Sequence, residues 1–421
     1  MGYRDAGHRP IRRWRSTARA VASALCAFAL SCATAPPAVA DDGDEGIPLN
    51  NGQCNFPSDP IPGTPWSLQR LLFDQMWEDT RGKGIKVAVI DSGVDKKNPQ
   101  LKKAVAKGED VIGKGDGTTD GVGHGTKVAG IIAARPAKGT GFVGIAPEAT
   151  IIPIRQNDNE NSGKVKTMVD AIDYAISRDV HIINISQGTT AKLPPNSSLE
   201  AAVKRAQSKD ILVVASAGND GASGKEKYSY PASFDGVLGV AASDRNNERA
   251  PFSQSGKFVG IAAPGVDMVS TVPVDGHCVD NGTSFAAPYV TGVAALVRAK
   301  HPKWSYQQVI WHLQETADRV RPDRDINIGW GVVDPVAAMS NNDEPTPPKP
   351  DTEQAADVNA DSIVPAPLIL GETPQERRVR YGVYIFTGGL LAVGVVVGSA
   401  VAMRDWRRKT SLKLHRGTTH G

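Results

Sequence analysis

The sequence predicts an α/β domain with a mostly parallel sheet between helices, followed by one C-terminal transmembrane helix. Three observations lead there. Short β-branched runs such as residues 85–90, 150–154, 181–185 and 211–215 alternate with helical-period segments such as residues 165–176 and 198–207. Strands alternating with helices need crossover connections, and crossovers cover both faces of a parallel sheet. Residues 381–403 carry no charge and are long enough to span a bilayer.

Taken in order, residues 1–40 read as an export signal. Arg9, Arg12, Arg13, Arg15 and Arg19 precede an apolar stretch at residues 20–33, Ala38-Val39-Ala40 supplies a small-x-small cleavage site, and Asp41 and Asp42 follow. The apolar stretch is short for a membrane span. Arg12-Arg13 fits a twin-arginine signal weakly, and Cys32 fits a lipoprotein site poorly. Residues 41–65 are polar and rich in Pro, Gly and Asn, an extension without a core of its own. Residues 66–340 form the main domain. Leu68, Leu71, Leu72 and Met76 mark a helix over residues 66–77, and the alternating pattern starts with the strand at residues 85–90. A helix over 125–134 comes next, then the strands and helices already named, two further strands at 237–242 and 257–262, and helices from Ser284 and over 305–317. Residues 341–380 are a Pro-rich, then acidic and Ala-rich linker with too little apolar content to fold. The span at 381–403 is followed by Arg404, Arg407, Arg408 and Lys409, which places the tail, residues 404–421, in the cytoplasm and the domain outside.

Bulk composition narrows the function classes. Of 421 residues, 48 are Lys or Arg and 45 are Asp or Glu, and a net charge of +3 without a basic block gives no case for nucleic-acid binding. The 43 glycines and 29 prolines are dispersed, as in a protein of many tight turns. Four cysteines are present, but Cys26 and Cys32 fall in the signal, leaving Cys54 and Cys278. In an exported chain an even pair suggests one disulfide, with unpaired thiols or bonds to a partner as the alternatives.

Sites in parallel sheets form beyond the C-terminal ends of strands. Asp91-Ser-Gly follows the first strand there, and Ser216-Ala-Gly-Asn219 follows the strand ending at Ala215. Two more groups open helices: Gly123-His124-Gly125-Thr126 and Gly282-Thr283-Ser284. Each is ordinary alone: a strand-end carboxylate caps a turn, a loop histidine caps a helix, and serine is a preferred N-cap. Together they are the parts of acyl transfer. A serine hydroxyl needs a base, the base needs a carboxylate to fix its tautomer, and the oxyanion needs donors. Asp91-Ser-Gly, His124-Gly-Thr and Gly-Thr-Ser284-Phe-Ala-Ala-Pro288, in that order, resemble the signatures of the subtilisin-like serine proteases, over roughly residues 66–338.

The resemblance implies a subtilisin-like three-layer fold and a serine endopeptidase with Asp91, His124 and Ser284 as the triad and Asn219 as oxyanion donor. It implies substrate binding along Ser186, Gln187 and Gly188, and along Ala217 and Gly218. Gln187 and Thr189 depart from the usual Leu and Gly of that edge and leave the specificity open. The layout of export signal, Cys-bearing extension, protease domain, Pro-rich linker and single C-terminal membrane helix is similar to the mycosins, the membrane-anchored subtilases of type VII secretion. Implied partners are protein or peptide substrates, the secretion membrane complex, and the membrane through the C-terminal helix. A structural subunit that stabilises that complex is the alternative role, and a free secreted protease fits the anchor poorly. No cofactor or metal is expected: Asp95, Asp116 and Asp120 sit in Gly-rich loop sequence and read as solvated. His181, Trp304 and Trp311 read as core, and His277 has no required role.

Overall fold

Side chains alternate across the first strand, β1 (Lys86–Asp91), and so divide between two cores. Val87 and Val89 pack on one face of the sheet, Ala88 and Ile90 on the other. In the computed structural model, residues 54–158, 164–190, 193–194, 196–223, 228–319, 323–348 and 374–415 are described. The expected signal (1–40), residues 41–53 of the extension, residues 349–373 of the linker and residues 416–421 of the tail lie outside them.

Two single-turn helices precede β1, α1 (Trp66–Gln69) and α2 (Phe73–Met76). After it come β2 (Glu109–Asp110), α3 (His124–Ala133), β3 (Thr150–Arg155), α4 (Val165–Ser177), β4 (Ile182–Ile185), α5 (Ser198–Ser208) and β5 (Leu212–Ser216). Next are β6 (Leu238–Ser243), β7 (Val259–Pro264), β8 (Met268–Thr271), β9 (His277–Asp280), α6 (Thr283–Lys300), α7 (Tyr306–Glu315) and α8 (Pro335–Ser340). Seven strands form one parallel sheet in the order β2-β3-β1-β4-β5-β6-β7. The order reverses at β1, which lies between β3 and β4. Loops leaving the C-terminal ends there part in opposite directions and open a crevice.

The two faces are unequal. One is covered by α4 and α5 through Met168, Ile172, Leu199 and Val203. The other carries the larger core, with α3, α6 and α7. Helix α6 is buried from Thr283 to Arg298, consistent with its apolar composition on every side.

One expectation needs correction, and one element was missed. The helix expected over residues 66–77 is broken into α1 and α2, because both ends are pinned separately: Trp66 Nε1 donates to Val266 O and Trp77 Nε1 to Ile145 O, each at 2.9 Å. The break buries Leu71 and leaves Leu72 55% exposed. The antiparallel hairpin β8–β9 was not expected from the sequence.

Residues 352–421 are a second unit. Its described part is one helix, α9 (Pro374–His415), with a 31-residue stretch, Arg378–Arg408, long and apolar enough to cross a membrane. The helix therefore extends beyond residues 381–403 at both ends.

Candidate active site

β1 ends in Asp91, whose side chain is wholly buried and whose Oδ1 accepts from Ser92 N at 2.8 Å. The same Oδ1 lies 2.7 Å from His124 Nδ1. A carboxylate acceptor there holds the proton on Nδ1 and leaves Nε2 as the basic nitrogen. His124 is the first residue of α3. Its neighbour Gly125 allows the approach: a Cβ at Gly125 would stand 2.1 Å from Gly93 O and 3.0 Å from Asp91 Cβ. The bare glycine lets the helix press against the turn after β1.

The N-terminus of α3 has no side-chain cap on its own N-cap residue, Gly123. Asp120 supplies one. Its Oδ1 accepts from Gly123 N (2.7 Å), Val122 N (3.0 Å) and Ser92 Oγ (2.9 Å), and its Oδ2 from Thr126 N (2.9 Å) and Thr126 Oγ1 (2.6 Å). Ser92 Oγ in turn accepts from Gly125 N at 3.0 Å. One carboxylate thus ties the Asp91 turn to the His124 helix. Burial pushes the Asp120 carboxyl upward, while bonds from Thr126 and Gly123 oppose that shift.

This corrects the reading of Asp95, Asp116 and Asp120 as a solvated set. Asp95 and Asp120 are buried, and each carboxylate has its own protein partners: Asp95 takes Lys97 N and Val274 N, and Asp116 takes Thr118 N and Oγ1. Among the described residues no group of three or more His, Cys, Asp or Glu is arranged to hold a metal.

Ser284 is the second residue of α6, where the helix dipole contributes positive potential. Asn219 Oδ1 accepts from Thr283 N and Thr283 Oγ1, both at 2.9 Å, and Gly218 N donates to Thr283 Oγ1 at 3.1 Å. The amide oxygen being so occupied, Nδ2 faces the other way. A Cβ at Gly282 would meet Ser284 Oγ at 2.8 Å and Asn219 Nδ2 at 3.4 Å, so both flank one point. Gly282 has φ 156°, a conformation that side chains rarely adopt.

His124, Ser284, Asn219, Ser186, Gln187, Gly188 and Gly218 all line one cleft of about 520 Å³. Ala217, also expected in substrate binding, turns its side chain away from this cleft. Alternation continues past β5, so Ser216 faces the cleft and Ala217 joins a small core with Ala241, Val259, Ala262 and Val332. The sequence reading also missed Lys127. It lies one turn beyond His124 and pairs with Asp280 at 2.6 Å, bracing α3 against the segment that leads into α6. A lysine on the His124 helix opposite an aspartate four residues before Ser284 was the only sequence signal.

Cys54 and Cys278 are joined, with Cα atoms 6.0 Å apart. The extension then runs along the β8–β9 hairpin: Ser58 N donates to Asp275 O (3.1 Å) and His277 N to Asp59 O (3.3 Å). His277 does have a role. Its Nδ1 accepts from Ile61 N (3.0 Å) and its Nε2 lies 2.6 Å from Gln100 Oε1, so it fastens the extension to the domain. Burial holds its imidazole below the usual range. His181 is half-buried and accepts from Lys86 N at 3.0 Å, and Trp304 and Trp311 pack partly buried against the main core.

Residues 82–331 match the subtilase family. The chain belongs to the subtilases. It is therefore a subtilisin-type serine protease by family, on a subtilisin-like α/β fold. M-protease from Shouchella clausii is 39% identical over 254 residues, 60% of this chain, and this chain spans 64% of the length of that relative. The MycP3 protease from the type VII (ESX-3) secretion system is 35% identical with a TM-score of 0.61, covering 68% of this subtilase and 90% of that chain. A chain of an intact ESX-5 inner membrane complex is 32% identical with a TM-score of 0.61, covering 82% of this chain and 93% of that one. Among subtilases, then, this chain resembles the mycosins.

Proposed function

We propose that this subtilase is a membrane-anchored serine endopeptidase that cleaves peptide bonds through an acyl-enzyme, with Asp91, His124 and Ser284 as its triad. The observation that carries the reading is the Asp91–His124 contact of 2.7 Å on the same cleft as Ser284 and Asn219. His124 Nε2 would take the Ser284 proton as Oγ attacks the carbonyl carbon, and return it to the leaving amine when the C–N bond breaks. Asn219 Nδ2 and the backbone N–H at the start of α6 would receive the oxyanion. Water then repeats the sequence on the ester, releasing the acid and restoring Ser284. The chain would be exported by residues 1–40 and anchored by the apolar stretch of α9, with residues 66–340 outside, residues 341–380 as linker, residues 381–403 in the membrane and residues 404–421 inside. Its substrates would be proteins handled by a type VII secretion system.

A fluorophosphonate probe applied to the full-length chain tests the nucleophile. Labelling at Ser284, lost in Ser284→Ala and in His124→Ala, is expected. Labelling that persists in Ser284→Ala would contradict it.

A second role is favoured by the 82% coverage against the ESX-5 membrane-complex chain, which exceeds the 68% against MycP3. This subtilase would also be a structural subunit of such a complex. A Ser284→Ala chain should then still co-purify with the secretion membrane proteins, and a chain ending at Pro347 should not.

A further inference from the structure

The apolar stretch of α9 ends in a basic face. Arg407 and Arg408 follow Arg404 by three and four residues, so at about 100° per residue the three share an arc of roughly 100° on the helix. Ala400, one turn earlier, falls in the same arc, and Met403 at its edge. These residues line one recess of about 560 Å³. Ala400 stands among Val396, Val397 and Val401, so its single methyl leaves a notch in the apolar surface just where the arginines begin. Of residues 404–421, Arg404, Arg407, Arg408, Lys409, Lys413 and Arg416 are basic and Asp405 alone is acidic. One carboxylate, placed by helical spacing outside the arc, leaves the face net positive.

Where an apolar span ends, the residues that follow lie at the level of the lipid phosphates. A guanidinium matches a phosphate with two parallel hydrogen bonds, and guanidiniums on one face can share one phosphate. The recess has the two halves that a phospholipid has, with Ala400 and Met403 on the apolar side and Arg404 and Arg407 beyond them. We propose that this recess is a binding site for one anionic phospholipid, its phosphate held by Arg404 and Arg407 and its glycerol and first acyl carbons seated over Ala400. A choline headgroup carries its own cation into the arginine face and is disfavoured, whereas a glycerol headgroup carries none. Basic segments beside a span draw anionic lipid by charge alone. The notch at Ala400 makes this a place for one molecule. Trp406 is 71% exposed and adjoins Arg407, at the depth where indole rings settle at membrane interfaces, and it holds the helix at that level.

The inference rests on the reading of α9 as a membrane anchor, and lipid preference and anchoring are therefore measured separately. The full-length chain in neutral detergent is equilibrated with equal amounts of dioleoylphosphatidylcholine and dioleoylphosphatidylglycerol, and the lipid it retains is identified by native mass spectrometry. The same protein is reconstituted in phosphatidylcholine vesicles and extracted with alkaline carbonate. One phosphatidylglycerol per chain should be retained over phosphatidylcholine by roughly ten-fold or more, the equivalent of one charge-assisted hydrogen bond. Arg404→Gln with Arg407→Gln should lose the preference. Ala400→Leu fills the notch, leaves every charge in place, and should lose it too. Lys409→Gln with Lys413→Gln removes the same charge from positions that helical spacing puts on the opposite side, and should keep it. No preference, a preference that survives Ala400→Leu, or equal loss in the lysine pair and the arginine pair would overturn the inference. Protein that resists carbonate yet shows no preference overturns the inference and leaves the anchor in place. Protein that carbonate strips from the vesicles contradicts the anchor, and the lipid preference still decides the site.

Discussion

At the scale of single residues, the proposed chemistry depends on where two atoms of Asn219 point. The amide oxygen is held by Thr283, which turns Nδ2 toward the point it shares with Ser284 Oγ. A donor aimed at an oxyanion acts in the transition state more than in the ground state. Asn219→Ala should lower kcat by roughly 100- to 1000-fold with little change in KM, the range measured in a subtilisin. A steady-state assay showing kcat within a few-fold of the unmutated chain would remove Asn219 from this role. Gly125 is a stricter case, since a Cβ there would overlap Gly93 O at 2.1 Å. Gly125→Ala should push α3 off the Asp91 turn and cost on the order of 100-fold in kcat, because an ångström of misplacement is enough. A crystal structure of the variant should show the Asp91–His124 contact lengthened. The proposed triad residues drew attention in the sequence because each lies within two residues of a glycine in a strand-end or helix-start motif. The face that the Ala217 side chain takes was not legible, because a motif names a segment and not a face. Asp120 was seen only as an acidic loop residue, since its five donors come from backbone and hydroxyl groups that no local pattern announces.

At the scale of elements, long buried segments were legible and short or exposed ones were not. Strands β1, β3, β4 and β5 are rich in β-branched residues and almost wholly buried, and α4 and α5 carry apolar residues at helical spacing. The β8–β9 hairpin has four-residue strands, and β9 is half-exposed with polar ends, so neither periodicity nor composition marks it. Yet this hairpin holds the extension through His277. Burial depresses the imidazoles of His181, His277, His301 and His312 below the ordinary value of 6.5. Between each lowered folded value and about 6.5 the unfolded chain binds more protons than the folded one. Their contribution is therefore fully present above about pH 6.5 and is lost as pH falls through that value toward the folded ones. Thermal unfolding followed by circular dichroism should show Tm falling from pH 7.5 to pH 5.5, with a shallower fall in His277→Gln. An identical slope in that variant would remove His277 from the explanation.

At the scale of the whole molecule, the bridge between Cys54 and Cys278 closes a sequence separation of 224 residues. Cys54→Ser with Cys278→Ser should lower the stability of the domain by about 2–5 kcal/mol, measured by chemical denaturation. Because Cys278 stands six residues before Ser284, the doubly substituted protein should also lose activity at temperatures where the parent retains it; equal stability with and without the bridge would contradict this. The expected order of export signal, extension, domain, linker and apolar helix rests on composition that changes sharply at each boundary, and of that order the structure describes chiefly the domain and the apolar helix. The Cys54–Cys278 bridge was suggested by these being the two cysteines beyond the expected signal, and its geometry was not legible, since that depends on how a loop closes in space. The central claim is that Asp91, His124 and Ser284 act as one unit, and peptide hydrolysis by the full-length chain tests it most directly. Ser284→Ala and His124→Ala should each cost nearly as much as the triple substitution of all three residues. Losses that multiply from one substitution to the next, or a Ser284→Ala chain that keeps its activity, would contradict it.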